Sequence, residues 1–352
     1  MVRITLAALF AVTSLCSASA AEKPLKLLMI DVEGGAATLF VTPQGKSVLV
    51  DTGWPPGVGV PQPPEGAPPG PPQPSSAERI VANAKAAGVR KIDYLIVTHY
   101  HTDHVGGFHD LLARIPVGTI VDHGPSREEP PPGLFAKYEP VSNARKRRVV
   151  KAGDVLQVGA LKFTFVAADG EVLQRPLAGA GGRTAFCDTT PEKSAIGGEE
   201  NARSIGFVAA YGKARILDLA DLTWNRELAL VCPINKLGAV DVLIVSHHGS
   251  ELSSSPPMID AVAPRVALMA NGARKGGDKA VFDTLNAAAS KPVIWQSHAA
   301  TRQPGANRPA DYIANLDVWP DAGHSIEADV SKDGTIKVVN ARNGFTQTYS
   351  AK

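Results

Sequence analysis

The sequence predicts an α/β fold in which short buried strands alternate with amphipathic helices. Apolar runs such as residues 94–97 and 240–245 have the length and the flanking turn residues of buried strands. A helical pattern over residues 77–87 begins after a serine pair and ends at Gly88, and both are typical capping features. Histidine and aspartate motifs directly follow several of the predicted strands. This arrangement predicts a functional site built at strand ends.

The other elements follow from the same two periodicities, 2 for strands and 3.6 for helices. Further strands are predicted at residues 25–32, 37–41, 47–50, 117–121, 155–158, 161–168, 205–210, 214–219, 265–270, 293–295, 326–330 and 335–339. Further helices are predicted at residues 108–115, 225–232, 278–288 and 309–316, and residues 128–140 are predicted to form a loop.

Residues 1–21 have the features of a secretory signal peptide: a short basic start, an apolar stretch and a small-residue cleavage site. No later apolar run reaches about eighteen residues, so no membrane span is predicted. We therefore expect a periplasmic or secreted protein whose residues 22–352 form one domain. Within it, the Pro/Gly-rich residues 54–76 are predicted to be a loop insertion, and residues 271–352 a C-terminal extension of the same domain.

The net charge says little about which partners the protein binds, and the cysteine content leaves two states of the cysteines possible. The formal net charge of +2 gives no overall basic surface, so nucleic-acid binding is not indicated. The net charge does not exclude a local basic patch. Cys187 and Cys232 remain after the signal peptide, and in an oxidising compartment they form either a disulfide or two buried thiols. No oligomeric state is predicted.

Residues 98–107 contain the strongest functional signal. His99, His101, Asp103 and His104 lie within six residues, directly after a predicted strand. Imidazole and carboxylate groups are ligands suited to Zn²⁺, Mn²⁺ or Fe, and a thiolate site would need cysteines that this stretch lacks. Two half-sites are expected, because His99 and His101 can face one point while Asp103 and His104 reach a second.

Three further polar motifs follow predicted strands. Asp51 is predicted to orient the neighbouring loop by accepting a backbone or histidine N–H, with a turn role as the alternative. Asp221 is the carboxylate predicted to bridge two metals, with one oxygen for each ion. One of His247 and His248 is expected to complete the coordination of the second metal. The other is expected to position or protonate the substrate. Spacing alone leaves open which histidine has which role.

Positive side chains near these motifs can hold an anionic substrate. Lys275 or Arg274, in the loop at residues 271–277, is predicted to bind a phosphate or carboxylate, with an ordinary turn as the alternative. The basic run at residues 145–148 is predicted to be a solvated face. His123 is predicted to be a structural histidine.

Taken together, the motifs resemble the metallo-β-lactamase superfamily. The residues that carry the resemblance are His99-x-His101-x-Asp103-His104 with Gly106-Gly107, Asp51-Thr52-Gly53, Asp221 and His247-His248-Gly249-Ser250. The last motif and the glycine turn after Asp31 are more similar to the DNA-uptake competence-protein branch than to true lactamases. The resemblance implies a four-layer αββα sandwich of two mixed sheets with a two-metal site along one edge. We expect the hairpin at residues 326–339 to add edge strands to the second sheet.

The chain departs from the superfamily pattern at the first metal. Members usually supply a third histidine between the first motif and the bridging aspartate, and residues 125–220 contain none. Asn201, with Ser204, matches an Asn-x-x-Ser pattern of the competence branch, and its amide oxygen can ligate weakly or through water. A first site made by His99, His101 and Asp221 is therefore expected to bind loosely or to prefer a harder ion such as Mn²⁺.

The resemblance implies a hydrolase with two metal ions, Zn²⁺ or alternatively Mn²⁺ or Fe. Such ions lower the pKa of a bound water toward about 7, and Asp103, His247 or His248 can carry the proton to the leaving group. We expect an exported metal-dependent hydrolase of an ester or phosphodiester bond, acting on a small-molecule or anionic ester substrate. The alternatives are a periplasmic β-lactam or lactone hydrolase and a non-catalytic, metal-stabilised binding protein.

Overall fold

A computed structural model of the chain describes residues 23–59, 63, 65, 66, 72–126, 128, 133–193 and 198–351. The predicted signal peptide at residues 1–21 lies outside the described residues, as do residues 60–62, 64 and 67–71 of the predicted loop at residues 54–76. No helix in the described part of the chain has the length and hydrophobicity needed to cross a bilayer.

The strands of the described part form two large sheets. In chain order they are β1 (Leu25–Met29), β2 (Thr38–Val41), β3 (Ser47–Val50), β4 (Ile92–Ile96), β5 (Val117–Asp122), β6 (Arg147–Val149), β7 (Val155–Val158), β8 (Leu161–Ala168), β9 (Glu171–Val172), β10 (Gly206–Tyr211), β11 (Ala214–Asp218), β12 (Val242–Ile244), β13 (Val266–Met269), β14 (Val293–His298), β15 (Ile313–Asn315), β16 (Ile326–Val330), β17 (Ile336–Asn340) and β18 (Thr346–Tyr349).

The helices lie mainly between strands. They are α1 (Ser76–Ala86), α2 (Thr102–Val105), α3 (Phe108–Arg114), α4 (Phe135–Asn143), α5 (Gly198–Ala202), α6 (Trp224–Val231), α7 (Pro256–Val262) and α8 (Lys279–Ala287). Helix α1 begins at a capping box, in which Ser75 accepts from the Glu78 amide and the Glu78 side chain accepts from the Ser75 amide.

Both sheets are mixed, as the αββα prediction requires. The first has the order β18-β17-β16-β1-β2-β3-β4-β5-β6, and the second has the order β15-β14-β13-β12-β11-β10-β8-β7, with β9 paired to β8. Strands β3 to β6 run parallel to one another. Strands β11 to β15 are also parallel. The predicted α/β sandwich of two mixed sheets with helices is therefore confirmed.

Three apolar clusters separate the four layers. The central cluster lies between the sheets and includes Phe40, Phe163 and Phe207, whose ring centroids are 5.1 to 6.2 Å apart in edge-to-face contacts. A second cluster packs residues of α6, α7 and α8 against the second sheet. A third packs α1, α3 and α4 against the first sheet. The period of two along β1 explains this division, since Leu27 faces the central cluster and Leu28 faces the helices.

Two predicted elements at the C-terminal end are wrong. Residues 309–316 do not form an α-helix. After one 3₁₀ turn they enter β15, which pairs in parallel with β14. The hairpin at residues 326–339 does form, but β16 pairs with β1 and so extends the first sheet instead of the second. In both cases long-range strand pairing overrides what the local pattern can predict.

The loop predicted at residues 128–140 contains the start of a helix. Helix α4 begins at Phe135, and Phe135 and Tyr138 lie with their ring centroids 4.6 and 5.2 Å from that of Tyr100. This aromatic packing stabilises a segment whose Pro140 would otherwise disfavour helix. The helix therefore covers the back of the histidine loop.

A disulfide joins Cys187 to Cys232, which resolves the alternative that the sequence left open. The bond connects the glycine-rich segment after β9 to the C-terminal end of α6. Closing a loop of 45 residues in this way restricts the unfolded chain and stabilises the fold by about 4 kcal/mol on chain-entropy grounds.

A buried ion cluster connects α1 to the C-terminal part of the chain. The Arg79 guanidinium donates to Asp31 at 2.6 Å and to Asp321 at 2.5 Å, and His298 Nε2 lies 2.8 Å from Asp31. Burial alone would lower the pKa of His298, but the charge and hydrogen bond of Asp31 outweigh it and raise that pKa to about 9. His298 is therefore a structural histidine.

Substitution of Arg79 tests how much the fold depends on this cluster. Arg79→Met leaves two buried carboxylates without their guanidinium partner, so the free energy of unfolding is expected to fall by about 3–5 kcal/mol in denaturant titrations. Arg114→Met is the control, because Arg114 pairs with Asp110 and Glu78 at the surface and should cost less than about 1 kcal/mol. Equal losses for both variants would contradict this account.

Candidate metal centre

The predicted site residues come from strands that end at one edge of the sandwich. Asp51 follows β3, and the stretch from Thr98 to His104 follows β4 in the first sheet. Asp221 follows β11 and His248 follows β12 in the second sheet. Because these are neighbouring parallel strands within each sheet, their carboxyl ends deliver the side chains to one place.

Four of these side chains converge closely. One ligand atom from each of Asp103, His104, Asp221 and His248 lies within 4.8 Å of every other, and all four residues are buried. His104 Nε2 is 3.2 Å from His248 Nε2, 3.3 Å from Asp103 Oδ2 and 3.3 Å from Asp221 Oδ1. His248 Nε2 is 3.1 Å from Asp103 Oδ2 and 3.5 Å from Asp221 Oδ1.

These separations fit the edges of a metal coordination polyhedron. Nitrogen and oxygen ligands about 2.0–2.1 Å from a tetrahedral ion lie roughly 3.3 Å from one another. The five measured separations run from 3.1 to 3.5 Å. Two imidazoles and two carboxylates also form a donor set that suits Zn²⁺, Mn²⁺ or Fe. The residues therefore fit a divalent metal ion.

Charges around the cluster favour a cation at its centre. Burial opposes ionisation of Asp221, but His104, His248 and His247 outweigh it and hold the pKa of this carboxyl well below its usual value. Burial would likewise lower the pKa of His104, yet Asp221, Asp103 and Asp51 raise it well above its usual value. The raised pKa of His104 means that the surrounding carboxylates stabilise positive charge at this place, and the lowered pKa of Asp221 keeps that carboxylate ionised.

Asp51 contacts the cluster from behind. Its Oδ2 lies 2.7 Å from His104 Nδ1 and accepts from the Thr98 hydroxyl at 2.7 Å, while Oδ1 accepts from the Thr98 amide at 2.8 Å. A carboxylate on Nδ1 is the usual partner of a metal-binding imidazole, because it directs Nε2 toward the ion. Asp51 thus has the contacts of the orienting residue that the sequence predicted.

The second predicted half-site lies beside the first. His99 Nε2 is 3.2 Å from His101 Nδ1, and the His99 ring centroid is 4.0 Å from that of His104. Burial, with the His104 charge next in size, lowers the pKa of His99 well below its usual value, which favours the neutral, ligating form. Asn201 is 3% exposed, and its Oδ1 has no hydrogen-bond partner within the described residues. An unpaired buried amide oxygen is free to coordinate a cation.

His247 and His248 occupy different positions. His248 belongs to the four-residue cluster, whereas His247 Nε2 lies 3.3 Å from the other Asp221 oxygen, Oδ2. Both residues have left-handed backbone conformations, with φ of 53° and 56°. Each such conformation costs about 1–3 kcal/mol and is commonly found at functional sites. Two successive left-handed residues explain why adjacent histidines can both reach Asp221.

The loop at residues 271–277 packs against His248. The Gly277 amide donates to the His248 carbonyl at 3.0 Å, and a Cβ on Gly276 would overlap that carbonyl oxygen. The Lys275 ammonium contacts Asp103 Oδ2 and lies 4.9 Å from the centroid of the Trp54 ring. Lys275 therefore lies at the mouth of the cluster, beside an aromatic side chain.

A polar cavity opens next to the cluster. Its volume is about 490 Å³, and its charged lining includes His247, Lys275, Lys279, Arg302, Asp278 and Glu251. Among the described residues that line it, Ala280 has the largest aliphatic side chain. The cavity is thus suited to a polar, charged ligand.

A second group of acidic and histidine side chains does not fit a metal. Asp31, His298 and Asp321 have ligand atoms within 4.8 Å of one another. The Arg79 guanidinium already pairs with both carboxylates, as described above. A divalent cation at this place would lie against a permanent positive charge.

Sequence reasoning missed two buried glutamates, of which Glu200 lies beside the histidine loop. Glu200, fully buried, accepts from the Tyr100 amide at 3.1 Å and lies 3.0 Å from His123 Nε2. Glu227, also fully buried, accepts from the amides of Ser254 and Ser255 at 2.8 Å each. The only local signal for Glu200 is its position next to Asn201, and a carboxylate in a polar segment is too common to be distinctive.

Comparison with known proteins supports the resemblance drawn from the motifs. The sequence profile of the metallo-beta-lactamase superfamily matches residues 30–183, which include the histidine motif. Competence protein ComA of Neisseria gonorrhoeae is 28% identical over 193 residues, which cover 55% of this chain and 22% of that protein. ComE operon protein 3 of Bacillus subtilis is 27% identical over 192 residues, covering 53% of this chain and 21% of that protein. The chain thus spans about a fifth of the length of these relatives.

Solved structures with a similar arrangement have low sequence identity. The metallo-beta-lactamase fold protein YhfI from Bacillus subtilis is 13% identical, with a TM-score of 0.46, and the match covers 77% of this chain and 95% of that one. CmlA, a diiron beta-hydroxylase from Streptomyces venezuelae, is 16% identical, with a TM-score of 0.40 and coverage of 72% and 45%. The resemblance predicted from the motifs is confirmed by the sequence comparisons: residues 30–183 match the metallo-β-lactamase superfamily, and the relatives of the chain include Competence protein ComA and ComE operon protein 3.

Proposed function

We propose that this chain is an exported, metal-dependent hydrolase that breaks an ester or phosphodiester bond in an anionic substrate. One observation carries the proposal. Four buried nitrogen and oxygen ligands have the mutual separations of a coordination polyhedron, next to an open cavity with charged walls. Export rests on the predicted signal peptide at residues 1–21.

Two half-sites would share the metal ions. Asp103, His104, Asp221 and His248 would hold one ion, and His99, His101 and the free amide oxygen of Asn201 would hold a second, with Asp221 between them. Zn²⁺, Mn²⁺ or Fe all suit these donors. When bound, such ions supply Lewis acidity and lower the pKa of water toward about 7.

His247 is the side chain best placed to move a proton. It lines the cavity, is 13% exposed, and its Nε2 lies against Asp221 Oδ2. Asp103, the other candidate, has its Oδ2 engaged by His104, His248 and Lys275. We therefore assign proton delivery to the leaving group to His247 and ligation to Asp103 and His248.

The lining of the cavity supports an anionic substrate over a hydrophobic one. Lys275, Lys279 and Arg302 pair with the carboxylates of Asp103, Asp283 and Asp278, and a phosphate or carboxylate of the substrate can take the place of these partners. A β-lactam or acyl lactone with an apolar side chain would find few apolar contacts here. The relatives named for competence support a nucleic-acid phosphodiester within this class, although the net charge of +2 gives no general basic surface.

The hydrolase proposal predicts metal-dependent turnover. Residues 22–352 are expected to release p-nitrophenolate from bis-p-nitrophenyl phosphate, to lose this activity in chelator and to regain it with Mn²⁺ or Zn²⁺. His248→Gln removes one ligand and should lower kcat/KM at least about tenfold. His109→Gln, at an exposed histidine, should leave kcat/KM unchanged.

Activity that is indifferent to chelator would rule the proposal out. Turnover of nitrocefin or an acyl lactone instead of the phosphodiester would favour the β-lactam or lactone hydrolase. Fewer than about one metal per chain, with no turnover of any ester, would favour a metal-stabilised binding protein.

Asp51 offers a test of metal affinity. In Asp51→Asn an amide N–H₂ replaces one of two oxygens that accept from Thr98 and His104, so a donor faces a donor. Metal affinity is expected to fall by about 10–100-fold in equilibrium titrations. Asp241→Asn is the matched control, because Asp241 pairs with Arg265 near the start of β12. Equal affinities of the two variants would refute an orienting role.

A further inference from the structure

Tyr100 separates the two histidines of the His99–His101 half-site, which is expected to bind the weaker ion. Its side chain is fully buried, and its hydroxyl donates to the Gly124 carbonyl. Its backbone amide donates to Glu200 Oε1 at 3.1 Å. This amide belongs to the peptide that joins His99 to Tyr100, and His101 follows one residue later, so the position of this peptide affects where both histidine side chains project.

Glu200 is held firmly at this place. Besides the Tyr100 amide, its Oε1 lies 3.0 Å from His123 Nε2, and its Oε2 accepts from the Ser126 hydroxyl at 3.2 Å. The carboxylate is fully buried. Burying a carboxylate is costly unless its hydrogen bonds are kept. Glu200 therefore holds its three partners in fixed positions.

The segment that carries Glu200 runs alongside the histidine loop. The Ile205 amide donates to the Thr98 carbonyl at 2.9 Å, so the two segments are joined at two points. Asn201, next to Glu200, is the residue whose buried Oδ1 has no hydrogen-bond partner among the described residues. One short helix, α5, therefore carries both the fixed carboxylate and the free amide oxygen.

We propose that Glu200 is a positioning residue for the His99–His101 half of the metal centre. This inference rests on the metal site of the proposed function, but not on the reaction. The half-site lacks the usual third histidine, so its affinity depends more heavily on how well its two imidazoles are prearranged. Glu200 fixes the peptide that joins His99 to Tyr100 and thereby sets the position of His99 relative to His101, whose Nδ1 lies 3.2 Å from His99 Nε2.

Equilibrium titration of residues 22–352 with Co²⁺ tests the inference. Binding is monitored by calorimetry and by the visible absorption of the bound Co²⁺. The wild type is expected to bind two ions, one more weakly. Glu200→Ala should weaken the weaker event at least about tenfold and leave the stronger event in place. Glu200→Gln should restore most of the affinity, because its amide oxygen can still accept from the Tyr100 amide.

Glu227→Ala is the matched control. Glu227 is equally buried and also accepts backbone N–H groups, but from Ser254 and Ser255. Both alanine variants should lose stability, and only Glu200→Ala should lose the weaker Co²⁺ event. If Glu200→Ala does not fold, Glu200→Asp, which is one methylene shorter, should show the same selective loss.

Three results would overturn the inference. They are wild-type titration curves for Glu200→Ala or Glu200→Asp, equal weakening by Glu200→Ala and Glu227→Ala, and a wild type that binds no second ion. A wild type that binds two ions and responds to Glu200 as expected, but hydrolyses no ester, would reject the proposed function and leave the positioning role intact.

Discussion

The hydrogen bond between Asp51 and His104 is the interaction on which the rest of the site depends. It joins the end of β3 to the short helix after β4, at a distance of 2.7 Å between two fully buried side chains. Because Nδ1 is engaged there, Nε2 of His104 faces His248, Asp103 and Asp221. His104 follows a strand of the first sheet, whereas His248 and Asp221 follow strands of the second. The orientation of the His104 imidazole thus brings the two sheets into contact at the site.

The sandwich places such side chains together at the cost of local strain. Asp51, Ala220, His247 and His248 all have positive φ, and all lie at strand ends that face the metal centre. Isolated segments would avoid these conformations. Here the packing of the central cluster and the pairing of the parallel strands keep them in place. A rigid scaffold therefore supports a site whose candidate ligands come from loops.

Local chemistry explains which parts of the site could be predicted from the sequence. The candidate ligands at residues 99–104 lie in one loop, and the strand-end position of Asp221 indicated that it would approach them. The sequence could not separate His247 from His248, because that depends on two successive left-handed residues. It also missed Glu200, whose contact with Tyr100 spans 100 residues.

The errors in the fold have the same origin. The strand at Ile313–Asn315 and the pairing of β16 with β1 depend on partners far away in the sequence, such as Leu25 opposite Val330. Local periodicity carries no information about such partners. The choice between a disulfide and two free thiols could not be made from the sequence either. Cys187 and Cys232 are 45 residues apart and meet only in the folded chain.

X-ray absorption spectroscopy with elemental analysis on the zinc-loaded chain tests the central claim most directly. The account predicts about two ions per chain, each surrounded only by nitrogen and oxygen ligands near 2.0–2.1 Å. Less than one ion per chain, or sulfur in the coordination shell, would contradict a centre built from these histidines and aspartates.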